Sequence, residues 1–247
     1  MTEAVFQRLA EVVSAGGRAV CFTVVEGEPL GAKLLVLEDG ETVGDGPPEL
    51  AEEAPALIRG GRSRLLELPG RRVFADVAAP PPRLLVIGAV DTAEALCGMA
   101  RGLGWHTIVA DARARFATQE RIPSAHDLLV AWPDDALAQV APDHATAIVV
   151  LTHDDKFDLP AITGALETDA FYIGALGSRR NQARRRERLV EEGVPESDLD
   201  RVSGPCGLDL GAGSPAETAL SILAEILAVR SGREGGRLRE TTARIHA

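Results

Sequence analysis

The chain has 247 residues, enough for one large α/β domain or for two unequal ones with a core each. Its 26 Lys and Arg against 37 Asp and Glu leave a formal net charge of −11, which argues against nucleic acid or an anionic membrane as the main partner. No apolar run of about 18 residues, the length a membrane span needs, occurs, and Cys21, Cys97 and Cys206 lack the spacing of a disulfide framework or a structural zinc site.

The first residues, MTEAVFQRLAEVV, read as an acidic amphipathic helix with apolar Val5, Leu9, Val12 and Val13, stopped by Gly16-Gly17. They do not read as an export signal, so a cytoplasmic protein is expected. Short β-prone runs follow at Ala19 to Val25, Ala32 to Leu37, Arg64 to Leu68 and Arg72 to Val77, with turns at Glu38-Asp39-Gly40 and Leu68-Pro69-Gly70-Arg71. Pro47 to Ile58 reads as a short helix entered through Pro-Pro. The stiff run Ala78-Ala79-Pro80-Pro81-Pro82 marks the expected junction between a small mixed α+β domain, residues 1–78, and a second domain, residues 83–230.

From Arg83 onward strand and helix alternate, which implies a Rossmann-like parallel sheet with helices on its faces and an α/β fold. The expected strands are Arg83 to Ile87, His106 to Ala110, Leu128 to Ala131, Ala145 to Leu151 and Phe171 to Ala175. The first crossover helix carries Leu96, Met99, Ala100 and Leu103 as its expected buried stripe and ends at Gly104. A late helix opens with a capping box, Ser214 at N-cap, Pro215 at N1 and Glu217 at N3. Residues 231–247 form a polar, glycine-containing tail that is expected to be poorly ordered.

In an open parallel sheet the ligand lies outside the carboxyl ends of the strands, so the turns after the strands hold the candidate site. Leu84 to Asp111 reads as strand, tight turn, helix and strand with an acidic end. The dinucleotide fingerprint Gly-x-Gly-x-x-Gly/Ala meets Gly88, Val90 and Ala93, so a branched side chain stands at the central glycine position. Gly88 and Ala89 either cradle an anion or form a plain tight turn. Asp111 is placed to accept a ribose hydroxyl or to cap a turn, and Arg113 is placed to meet a phosphate. Thr152, His153 and Asp154 follow the most apolar strand, and the histidine can donate to a phosphate, move a proton or serve a structural turn; this turn alone does not make a metal site.

Gly177, Ser178, Arg179 and Arg180 form the strongest anion-site candidate: glycine lets backbone come close, Ser178 can cap the next helix and an arginine supplies a planar fork. Arg184, Arg185, Arg186 and Arg188 read instead as a solvated face paired with Glu187, Glu191 and Glu192. The glycine-rich run from Gly204 to Glu217 must pass close to neighbouring chain or to a ligand, with Asp209 as a polar anchor. Cys206 within it reads as a packing residue rather than a reactive thiol. There is no Gly-x-Ser-x-Gly elbow, P-loop lysine or His-Glu-x-x-His, so hydrolase, kinase and zinc-protease chemistry lack their usual marks.

IGAVDTAEAL, the segment Val109 to Thr118, LTHDDKFDLPAI, FYIGALGSRRNQARRRERL and PCGLDLGAGSPAETALSILAEILA together resemble the XdhC/CoxI family, accessory proteins of molybdenum hydroxylases such as xanthine dehydrogenase and carbon monoxide dehydrogenase. The resemblance runs in order over nearly all of residues 83–230. It implies a non-catalytic maturation chaperone that binds molybdenum cofactor, as molybdopterin or its dinucleotide, assists its sulfuration with a cysteine desulfurase and passes it to the apoenzyme. A homodimer is compatible with this. Gly88-Ala89-Val90-Asp91 replaces the family's second glycine and histidine, and the N-terminal Gly-Cys-x-Glu element has lost its cysteine, which marks a divergent member. The alternatives are a scaffold or regulatory protein without cofactor binding and an NAD(P)-dependent oxidoreductase, against which Val90 counts.

Overall fold

The computed structural model describes residues 2–242, which form two compact units, one of residues 2–80 with 242 and the other of residues 81–241. The first unit contains α1 (Thr2–Ser14), β1 (Ala19–Glu26), β2 (Lys33–Leu37), β3 (Thr42–Gly44), α2 (Ala54–Gly60), β4 (Arg64–Leu68) and β5 (Arg71–Ala78). Its five strands pair antiparallel in the order β3-β2-β1-β5-β4. Because successive strand residues point to opposite faces, β1 feeds two cores. Val20, Phe22 and Val24 pack with Leu50, Leu57 and Ile58 on the α2 side, while Ala19 and Cys21 pack with Val5 and Val12 of α1 on the other.

The second unit holds β6 (Arg83–Ile87), α3 (Asp91–Gly102), β7 (His106–Ala110), β8 (Asp127–Leu129), α4 (Pro133–Val140), β9 (Thr146–Val150), α5 (Asp155–Leu166), β10 (Tyr172–Ala175), α6 (Arg179–Glu191), β11 (Val202–Ser203) and α7 (Pro215–Arg230). Its six strands are all parallel, in the order β11-β10-β9-β6-β7-β8. The chain therefore winds outward from β6 in one direction, returns, and winds outward from β9 in the other. This is the doubly wound Rossmann arrangement, with its switch point between β6 and β9. β9 lies in the middle of the sheet with both faces covered, and every residue of Thr146–Val150 is buried, as a central parallel strand requires. On one face α3 and α7 bring Leu96, Cys97, Ile222 and Ile226 onto the strands. On the other, Leu137, Ile162 and Leu189 come from α4, α5 and α6.

The expected α/β class, a parallel sheet preceded by a smaller mixed α+β unit, is the observed one; that the N-terminal sheet is antiparallel is added by the structure, and the capping box at Ser214 and Glu217 is formed. Strand ends differ from expectation by a residue or two, most visibly at β8, which covers Asp127–Leu129 rather than Leu128 to Ala131. β3 and β11 add to the expected strands; they are three and two residues long, too short to show a period of two. The stripe on α3 also needs correction. Leu103 is 51% exposed, and the buried face is Ala93, Leu96, Cys97 and Ala100, because the helix ends at Gly102 and Leu103 turns away with the C-cap. Of the tail expected over residues 231–247, Leu238–Glu240 form a short 3-10 turn, and residues 243–247 lie outside the described ones.

Candidate functional site

At the switch point the ends of β6 and β9 touch. Gly88 sits at φ +113°, and a Cβ there would lie 2.8 Å from Thr152 Cγ2 and 3.2 Å from Thr152 N. Glycine is thus required by the neighbouring strand end as well as by the turn. The next amide is already occupied: Ala89 N–H donates to Asp111 Oδ2 at 3.0 Å. Asp111, 4% exposed, also accepts from Arg113 through the backbone N–H (2.9 Å), Nε (2.8 Å) and Nη2 (2.8 Å). Four donors use the whole lone-pair capacity of a carboxylate. Burial alone would push this carboxyl up, but the hydrogen bonds from Arg113 and Ala89 outweigh it and hold it below the usual carboxylate range. Asp111 therefore braces Arg113 and seals the first turn. Arg113 lies over the Phe116 ring at 4.3 Å and the Phe157 ring at 5.5 Å; its Nη1 makes no hydrogen bond among the described residues, and the Asp154 carboxylate adds to the negative charge around the guanidinium.

A second network supports the turns after β9 and β10. Thr152, buried, donates from its hydroxyl to Asp158 Oδ1. Asp158 Oδ2 pairs with Arg185 Nη2 at 2.5 Å, and the two side chains are almost wholly buried. Arg185 also donates to Gln182 Oε1 (2.8 Å) and Leu176 O (3.3 Å), and Gln182 donates to Ala175 O (2.7 Å). Burial pushes the Asp158 carboxyl up, against the pull of Thr152 and Arg185. Sequence reasoning misses Asp158 and Arg185 as a buried pair, although a signal is present. Asp158 shares a helix face with buried Ala161, Ile162 and Ala165, and Arg185 precedes buried Leu189 by four residues, the spacing of one face.

That network underlies the Gly-Ser-Arg-Arg turn. Gly177 has φ +146°, and Ser178 caps α6 by accepting from Asn181 N–H at 3.2 Å. Arg179 and Arg180 are exposed and have no hydrogen bond or ion pair among the described residues. The remaining arginines of α6 behave differently from expectation. Arg184 and Arg188 pair with Asp155 of α5 at 3.1 and 2.5 Å, and Arg186 pairs with Asp200 at 2.9 Å. The helical spacing to Glu187, Glu191 and Glu192 is overridden by acids brought from α5 and from the segment after α6, and Arg185 is not on a solvated face at all. A cavity of about 220 Å³ lies under the first turns of α6, lined among others by Arg179, Gln182, Ile162, Leu199 and Pro205.

His153 and Asp154 are exposed on the turn after β9, where Asp154 caps α5 by accepting from Lys156 N–H at 3.2 Å. The glycine-rich loop comes close to its own chain. Cys206 N–H donates to Ala175 O at 3.1 Å, Gly207 N–H donates to Glu225 Oε2 at 2.7 Å, and a Cβ on Gly207 would lie 2.4 Å from Ser221 Oγ. Burial, reinforced by the Glu225 charge, pushes the Cys206 thiol up to about 12, so it stays protonated at neutral pH. Asp209 is exposed, and no hydrogen bond joins it to the networks above among the described residues. The fold thus links Gly88, Ala89, Asp111, Arg113 and Thr152 through direct contacts, and carries the chain of bonds on through Asp158 and Arg185 to the foot of Gly177 and Ser178.

Residues 84–226 match the family description of the XdhC Rossmann domain. The chain is similar to a Bacillus subtilis protein named as a probable xanthine dehydrogenase subunit, 34% identical over 158 residues, which is 64% of this chain and 46% of that protein. It is similar to the molybdenum cofactor insertion chaperone PaoD of Escherichia coli, 30% identical over 155 residues, or 63% of this chain and 42% of the relative. A crystal structure described as a xanthine dehydrogenase from Bacillus halodurans superposes with a TM-score of 0.70 at 25% identity, covering 92% of this chain and 68% of the other. The matches span less than half the length of these curated relatives.

Proposed function

Since the chain belongs to the XdhC family, whose Rossmann domain it carries over residues 84–226, we propose that it is a cytoplasmic accessory factor that binds molybdenum cofactor and assists its sulfuration and insertion into a molybdenum hydroxylase of the xanthine dehydrogenase type. Two relatives support the accessory role by their names, one being a molybdenum cofactor insertion chaperone and the other a probable component of xanthine dehydrogenase. No catalytic step is assigned to the chain in this reading.

The observation that carries the reading is the pair of partner-free arginines at the β10–α6 turn. A pterin with a phosphate or diphosphate tail needs cations and main-chain donors, and Arg179, Arg180 and the capped first turn of α6 supply both kinds of group. The sulfur end of the cargo finds no ready nucleophile here: Cys21, Cys97 and Cys206 are all buried, and burial raises each thiol above its ordinary value. Sulfur delivery is accordingly assigned to a cysteine desulfurase partner. An oxidoreductase reading is disfavoured, because the acid and the turn amide that a dinucleotide would use, Asp111 and Ala89 N–H, are bonded to each other.

The test is uptake of molybdenum cofactor by the purified chain, followed by transfer to a molybdenum hydroxylase apoenzyme. Arg179→Ala should weaken uptake roughly tenfold, the scale of one lost charge-assisted hydrogen bond, and Gly177→Val at least as much. Arg186→Ala, whose charge is already spent on Asp200, should change it little. Equal losses at all three positions would remove the turn from the site.

A further inference from the structure

The carboxyl rim carries a second feature, at the end opposite the Gly-Ser-Arg-Arg turn. Of the two tryptophans in the chain, Trp105 is 3% exposed and belongs to the core, whereas Trp132 is 51% exposed. Trp132 follows β8 and occupies the N-cap position of α4 without a side-chain capping bond, so it stands at the carboxyl end of the sheet. Its indole rests on the Phe157 ring at 5.1 Å with a 40° tilt. Phe157 is itself buried, beneath Trp132, the Arg113 guanidinium at 5.5 Å and the Lys156 ammonium at 4.7 Å. Two cations thus border an aromatic surface that is supported from one side. Neighbouring Val130 is also 58% exposed, so apolar surface continues beside the indole.

An indole held from one side offers a flat face to a planar ring, and stacking is indifferent to the ring's hydrogen-bonding pattern. The bordering cations are already paired, Arg113 with Asp111 at 2.8 Å and Lys156 with Asp154 at 3.4 Å, so what this surface offers a ligand is the ring face. We infer that Trp132, backed by Phe157 and flanked by Arg113 and Lys156, is the stacking platform for the planar heteroaromatic ring of the phosphate-bearing ligand. This rests on the reading that the ligand lies along the carboxyl rim. The same chemistry describes the pterin ring and a nucleotide base, and they are separated by experiment. Asp111 acquires a second role here: by gripping Arg113 edge-on through Nε and Nη2 it holds the guanidinium over Phe157.

The test is calorimetric titration of the full chain with three probes: dihydroneopterin monophosphate, cytidine monophosphate and ribose 5-phosphate, the last having no ring to stack. Trp132→Ala should weaken at least one ring-bearing probe about tenfold, within the range measured for single base–aromatic stacks. Trp132→Phe should keep most of the affinity, and ribose 5-phosphate should bind both variants as it binds the unaltered chain. Loss for the pterin phosphate assigns the platform to the pterin, and loss for cytidine monophosphate assigns it to a base. If ring-bearing probes bind and Trp132→Ala leaves them unchanged, or if ribose 5-phosphate suffers equally, the platform is overturned while the rim reading stands. If Arg179→Ala alters no probe while Trp132→Ala weakens a ring-bearing one, the platform stands and the arginine cradle falls. Failure of all three probes to bind overturns both.

Discussion

Two strand-to-helix turns on the same sheet edge, after β6 and after β10, differ in whether their charged groups are already paired. In the turn after β6 the chain supplies its own anion: Asp111 takes the Ala89 amide and is neutralised by Arg113. In the turn after β10 the cations Arg179 and Arg180 stand exposed, and the acids nearby are engaged elsewhere, Asp155 by Arg184 and Arg188 and Asp158 by Arg185. A glycine-marked turn at a helix start is therefore not an anion site by virtue of its shape. What decides is whether an internal carboxylate has arrived there first, since an occupied donor and a neutralised cation have little left to offer a phosphate.

Asp158→Ala is the strongest way to break this contrast. It leaves the Arg185 charge buried without its partner, so it should cost about 3–5 kcal/mol, read as a fall in the denaturant midpoint, and it should loosen the β10–α6 turn. A loss below about 1 kcal/mol would mean that the network does not support the turn. Asp111→Asn acts on the sealed turn and should cost about 2 kcal/mol near neutral pH through loss of charge-assisted bonds. The sign of its pH dependence follows from a carboxyl held below the ordinary range. The stabilisation is fully present above the unfolded value of about 3.9 and is lost as pH falls through the lowered folded value. Asp111→Asn should thus flatten part of the acid limb of the stability curve, and an unchanged limb would show that Asp111 is not held ionised by Arg113. Ser178→Ala, which deletes the cap of α6, should cost about 1 kcal/mol, and the loss should appear without change in the sealed turn, as followed by amide exchange at Ala89.

Much of the frame is legible in the order of residues. Strand and helix alternate after Arg83, and that alternation demands a parallel sheet. Ser214, Pro215 and Glu217 form the capping box their spacing implies, and Ser178 caps α6 as expected. These features depend on residues within a few positions of one another, so sequence distance and spatial distance coincide. The site is less legible. The sequence marks Asp111 and Arg113 each as a group able to meet a ligand, yet they meet one another. It marks the arginines of α6 as one solvated face, yet Arg185 is buried and the others reach Asp155 and Asp200.

What the sequence alone determined is the order of elements, the parallel sheet, the caps and the turns at which a ligand can approach, because periodicity, capping and glycine placement act locally. What only the tertiary structure decided is which of those turns remains open. Winding the chain outward from β6 and then from β9 brings Thr152 against Gly88, and packing α5 beside α6 sets Asp158 against Arg185. Such partners lie 27 to 64 residues apart in sequence, and charge finds its partner by proximity in space, which no local pattern encodes.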